Sequence, residues 1–166
     1  MRIRAYLVGF AGAVGIVGGL AVMPAATVLA AADARVIELT QVACQFLESE
    51  NGVDLDFTTA EKADCDAINE QTGTARLGEA EVLTLKPGTY VFRVTNLDVP
   101  YELGFWLREE DYNWKNPLHQ LTKVSVSGGG LVMGATQDYE VELEPGEYLY
   151  SCPLNPTPDY RLVVTE

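Results

Sequence analysis

From Glu81 onward, apolar and polar positions alternate in short runs, each closed by a turn signal. The runs are "EVLTLKP", "TYVFRVTN", "YELGFWLR", "TKVSVSG", "QDYEVELEP", "EYLYSC" and "YRLVVT", separated by Pro-Gly, Asn-Leu-Asp and Gly-Gly-Gly. Alternation with period two puts every second side chain on one face, the signature of a half-buried strand. Upstream, "RVIELTQVACQFLE" alternates in part and predicts one more strand over Arg35–Glu48. About eight short strands of this kind predict a mainly β protein of two packed sheets. One segment breaks the pattern. "TAEKADCDAINEQ" holds good helix formers, Thr58 and Glu61 have capping-box spacing, and Gly73 supplies a stop, so a single short helix is predicted there. Its apolar positions, Ala60, Ala63, Ala67 and Ile68, make a weak face, and the helix needs a further tie to stay docked.

The first 34 residues differ from everything that follows. Arg2 and Arg4 precede a stretch from Ala5 to Ala32 without a charge, and "VLAAADA" offers small-x-small sites after Ala30 and Ala34. Residues 1–34 therefore read as a secretory signal peptide or, given the length of the run, as an anchor spanning a membrane through residues 5–32. Either way the remainder, 35–166, is placed in the periplasm or another extracytoplasmic compartment, as one β domain in which 35–76 is an N-terminal strand-plus-helix extension. Without Arg2, Arg4 and Asp33 the net charge goes from −13 to −14. Such a surface repels nucleic acid and anionic lipid, so the expected partner is a protein, basic or part of a membrane complex, with membrane contact only through an uncleaved N-terminus.

Three cysteines in an exported chain suggest one bridge and one leftover thiol. Cys44 on the first strand and Cys65 on the helix are the favoured pair, since their bond supplies the missing tie. Cys152 shares a strand face with Tyr148 and Tyr150. It can be a buried inert thiol, a partner of Cys44 or Cys65, or a reactive or metal-binding group. Catalytic motifs are missing: His119 is the sole histidine, and no Gly-x-Ser-x-Gly, Cys-x-x-Cys or phosphate loop occurs. No catalytic residue and no cofactor are expected.

The succession "LKPGTYVFRVTNLDVPYELGF", "YEVELEPGEYLYSCP" and "YRLVV" resembles the cupredoxins, from Glu81 to Glu166. The resemblance implies a Greek-key sandwich. It also implies a copper held by two histidines, a cysteine and a weak axial methionine, soft and imidazole donors together suiting that metal. Where the first histidine is expected this chain has Tyr101; after Cys152 it has Asn155, Thr157 and Tyr160. His119 and Met133 are the only histidine and methionine beyond Ala34, so one chain cannot supply two imidazoles. The resemblance thus implies the scaffold without type 1 copper: an exported, non-catalytic binding or accessory module, the alternative being an electron-transfer copper protein with an atypical site at Cys152. The docking residues expected are Trp106 and Trp114 as apolar anchors, with Glu109, Glu110 and Asp111 steering a basic partner.

Overall fold

The computed structural model describes residues 34–166. The predicted signal peptide or anchor lies outside the described residues. Strand β1 (Arg35–Val42) is followed by β2 (Gln45–Phe46), a 3-10 turn at Glu48–Glu50 and helix α1 (Lys62–Glu79). Then come β3 (Leu83–Leu85), β4 (Gly88–Asn96), β5 (Leu103–Glu109), a short α2 (Pro117–Thr122), β6 (Ser125–Leu131), β7 (Thr136–Leu143), β8 (Gly146–Ser151) and β9 (Tyr160–Val164). A four-stranded sheet runs β2-β1-β4-β7 and a five-stranded sheet β3-β9-β8-β5-β6. Both are mixed, because β1 lies parallel to β4 and β3 parallel to β9 while the other pairs are antiparallel.

The two sheets close on one core, fed by the alternation seen in the sequence. Tyr90, Phe92 and Val94 point inward from β4, Tyr139, Val141 and Leu143 from β7, Phe105 and Leu107 from β5, and Tyr160, Leu162 and Val164 from β9. Phe105 is central, with ring centroids 5.6 Å from Phe92, 5.0 Å from Tyr139 and 6.2 Å from Phe46. Each such side chain contributes about 1.5–3 kcal/mol by leaving water.

Three local features depart from the expectation. The strand predicted over Arg35–Glu48 breaks at Ala43–Cys44, where Cys44 adopts φ 62°, and β2 folds back antiparallel on the end of β1. The reversal buries Phe46 and carries Cys44 to α1. The helix runs through Gly73 to Glu79 instead of stopping, and its first turn is capped by Asp64, whose Oδ2 accepts from the N–H of Ala60 at 2.7 Å and of Glu61 at 3.1 Å. Helix α2 was not foreseen; Asn116 caps it by accepting from Leu118 N at 3.0 Å, with Pro117 at the first helical position. Among the described residues no helix is long and apolar enough to cross a membrane.

Helix α1 docks through polar groups and sulfur. Cys65, Asn69, Gly73 and Arg76 recur every three or four residues and so line one side of it. Cys65 is bonded to Cys44, as the sequence favoured. Asn69 donates to the carbonyl of Pro156 at 2.6 Å. Arg76 meets Glu50 in a buried pair, both side chains 8% exposed, with Nη2 to Oε1 at 2.6 Å and Nε to Oε2 at 3.1 Å. Its remaining N–H groups reach Asn69 Oδ1 and the carbonyl of Cys44, and the ring of Phe57 covers the guanidinium. Tyr160 donates to Glu50 Oε1 and Gln45 Nε2 approaches Oε2, so neither partner of this desolvated pair is left with an empty face.

Candidate functional site

The loops after β4, β6 and β8 gather at one end of the two sheets, together with the turn between β1 and β2. Asn96, at the end of β4, organises this end: its Nδ2 donates to the carbonyls of Val99 and Leu131, and its Oδ1 accepts from Val99 N at 2.9 Å. The result brings Tyr101, Cys152 and Asn155 together, with Gln41 and the Cys44–Cys65 bridge beside them.

Asn155 is the hub. It is fully buried, and its Oδ1 accepts from the N–H of Cys44 at 2.9 Å and the hydroxyl of Tyr101 at 3.1 Å. Its Nδ2 donates to the carbonyl of Val42 at 2.9 Å, and its backbone N–H points at Cys152 Sγ, 3.2 Å away. Cys65 Sγ, which carries no proton in the disulfide, lies 3.0 Å from the same Oδ1. Cys152 Sγ also accepts from Gly104 N at 3.4 Å, while Gln41 Nε2 donates to Gly104 O at 2.8 Å. Gln41 Oε1 is the one buried side-chain acceptor left unpaired among the described residues. The end of the β8–β9 loop is fixed by Thr157, whose hydroxyl accepts from Cys152 N at 3.1 Å and donates to the carbonyl of Pro158. The loop from Cys152 to Pro158 therefore works as a clasp, tying β8 to α1 and to the β1–β2 turn.

These donors do not fit a type 1 copper. Such a site needs two imidazoles beside the thiolate, and the groups found near Cys152 are a phenol and an amide, both engaged in hydrogen bonds. Burial pushes the Cys152 thiol up, more than the N–H groups of Gly104 and Asn155 pull it down, so the thiolate is disfavoured. Met133 is 61% exposed. His119 sits on α2, at the far end of β5 from Cys152, with its Nδ1 accepting from Asn113 N. Tyr160 points to Glu50, away from any ligand position. Cys152 is free and 1% exposed, so in the native protein it is expected to react with a thiol reagent at least about 100-fold more slowly than in the urea-unfolded chain. Time courses with an aromatic disulfide reagent check this, and equal rates would place the sulfur at the surface.

The expected docking residues separate. Trp106 lies half-buried on the outer face of β5, with its Nε1 donating to Ser125 Oγ at 3.0 Å, the Arg108 guanidinium 4.0 Å above its ring and Tyr112 edge-on. Its own strand and the following loop cover it. Trp114 stands free at 61% exposure, beside Lys115. Glu109 and Asp111 both bind Lys123, at 3.1 and 2.6 Å, which holds the Asp111 carboxyl below the usual range. Glu110 makes no ion pair among the described residues. Comparison with known proteins finds no family whose model the chain matches and no curated protein similar to it.

Proposed function

We propose that the protein is an exported accessory module, a cupredoxin-like Greek-key sandwich that serves by binding another protein and carries no type 1 copper. The observation that supports this most is the state of Asn155 and Cys152. A ligand position kept for metal needs a free donor aimed at a common point, whereas here the Asn155 amide oxygen and nitrogen are taken up by the β1–β2 turn and Tyr101, and the Cys152 sulfur accepts from the N–H groups of Gly104 and Asn155. The Cys44–Cys65 bridge agrees with an oxidising, extracytoplasmic compartment.

The test is spectroscopic. Cu(II) added to the purified, oxidised protein is expected to give no intense visible thiolate-to-copper band, and metal analysis after desalting no stoichiometric copper. A strong band that disappears in Cys152→Ser would overturn this reading in favour of electron transfer at an atypical site.

A further inference from the structure

The end of the β domain remote from Cys152 carries large apolar side chains that no described residue covers. Between β5 and β6 the chain leaves the sheets for the segment Glu110–Val124, and no residue of α2 within it is buried. Trp114, Leu118 and Leu121 stand 61%, 61% and 84% exposed there. Leu118 and Leu121 are three apart and so share a side of the helix. Placing three large apolar side chains in water within eight residues has no use in holding the segment itself. Asn113, Asn116 and Lys123 do that, through Asn113 N to His119, the Asn116 cap, and the bonds of Lys123 to Glu109 and Asp111. The segment is thus held by its polar groups, with its apolar groups left exposed.

Next to it lies an open groove of about 450 Å³ between the end of β5 and the turn from β7 to β8, lined by Glu109, Glu110, Asp111, Glu144, Glu147 and, at the rim shared with α2, Thr122. Of its five carboxylates, Glu109 and Asp111 share one cation, Lys123, and Glu147 meets Arg161 at 3.2 Å across an exposed pair. Glu110 and Glu144 have no cationic partner among the described residues, so the groove keeps a negative balance.

From this juxtaposition we infer that the Trp114–Leu121 face and the adjoining acidic groove are the docking surface for a basic amphipathic segment of a partner protein, its apolar side on Trp114, Leu118 and Leu121 and its lysines or arginines over Glu110 and Glu144. The inference rests on the reading of the protein as a binding module. Charge complementarity selects the occupant. A second copy of this chain, at a net −13, an anionic membrane and a nucleic acid all bring the wrong sign to the groove.

The probe is a synthetic helical peptide with leucines along one side and lysines along the other, compared with its glutamate-for-lysine counterpart. The lysine peptide is expected to bind the purified protein, to shift the Trp114 emission to the blue and to lose affinity as salt rises; the glutamate peptide is expected not to bind. Trp114→Ala should speed dissociation about 10-fold or more without lowering the melting temperature, since the side chain is exposed. Glu110→Gln with Glu144→Gln should slow association severalfold and flatten its salt dependence. A Met133→Ser control at the opposite end should bind as the parent does. Equal binding of both peptides, loss of binding in the Met133 control but not in Trp114→Ala, self-association through Trp114, binding to anionic vesicles, or no binding at all would each overturn the inference. The copper spectrum separates the two proposals: a Cys152-dependent band with lysine-peptide binding intact sinks the accessory reading alone, and absence of both sinks only the docking surface.

Discussion

Arg76→Ala is expected to destabilise the protein by about 3–5 kcal/mol, because it strips a buried carboxylate of its cation while leaving the carboxylate in place. Glu50 would keep only Tyr160 and Gln45, both neutral donors, against a desolvation cost that the bidentate contact with Arg76 now offsets. The carbonyl of Cys44 and Oδ1 of Asn69 would lose their partner as well. Urea unfolding should show the midpoint falling with little change of slope, as for a loss of stability without a change in the surface exposed. Replacing both members, Glu50→Leu with Arg76→Met, should cost less than the sum of the single changes, since no lone buried charge remains. A loss below about 1 kcal/mol in Arg76→Ala would mean that water reaches the pair and that it behaves like a surface salt bridge.

That pair also marks the boundary of what the sequence discloses. Period-two alternation marks β3 to β9, most clearly in β4 and β7, where every second side chain packs into the common core, as Tyr90, Phe92 and Val94 illustrate. The docking of α1 follows no such rule. Its buried side holds Cys65, Asn69, Gly73 and Arg76, which a search for apolar periodicity passes over, and Arg76 becomes a docking group only once the 3-10 turn has delivered Glu50. Gly73 does not stop the helix for the same reason: a glycine ends a helix when nothing beyond it gains by continuing, and here Arg76 does. The break at Cys44 was equally hidden, since a left-handed backbone at a cysteine is held by partners remote in sequence, Cys65 and Asn155. Helix α2 is six residues long and buries none of them, so its signal is confined to Asn116 followed by Pro117, a cap and a first helical position.

At the site, the structure brings Tyr101, Cys152 and Asn155 together through bonds that the sequence does not disclose. Residue types alone argue against copper, but that Asn155 joins the β1–β2 turn, the Tyr101 loop and the end of β8 depends on contacts with residues up to 113 positions away. Gln41 is a polar residue on the Ile37–Leu39 face of β1, and parity alone does not disclose that its amide, fully buried, donates to Gly104.

Cys44→Ala with Cys65→Ala is expected to cost about 3 kcal/mol, the loop-closure entropy returned to the unfolded chain for a sequence separation of 21. The structure adds a local consequence that this entropy does not contain. Cys44 holds φ 62°, a conformation that costs a non-glycine residue about 1–2 kcal/mol and is fixed here by the bridge and by its N–H bond to Asn155. Without the bridge the β1–β2 turn should relax, Asn155 should lose a donor, and the clasp over Cys152 should loosen. The Cys152 thiol is therefore expected to become measurably more reactive in the bridge-less protein under conditions where the fold persists. Hydrogen exchange should show the first turns of α1 opening before the sheets. The bridge and the Glu50–Arg76 pair fasten two points of the same helix, so their losses should not add. Once one is gone α1 detaches more readily, and the second removal finds less to break. A double-mutant cycle combining the cysteine changes with Arg76→Ala should therefore give a total smaller than the sum. Strict additivity would mean that α1 is two independent contacts and not one docked element, and unchanged Cys152 reactivity would mean that the Asn155 clasp stands without the disulfide.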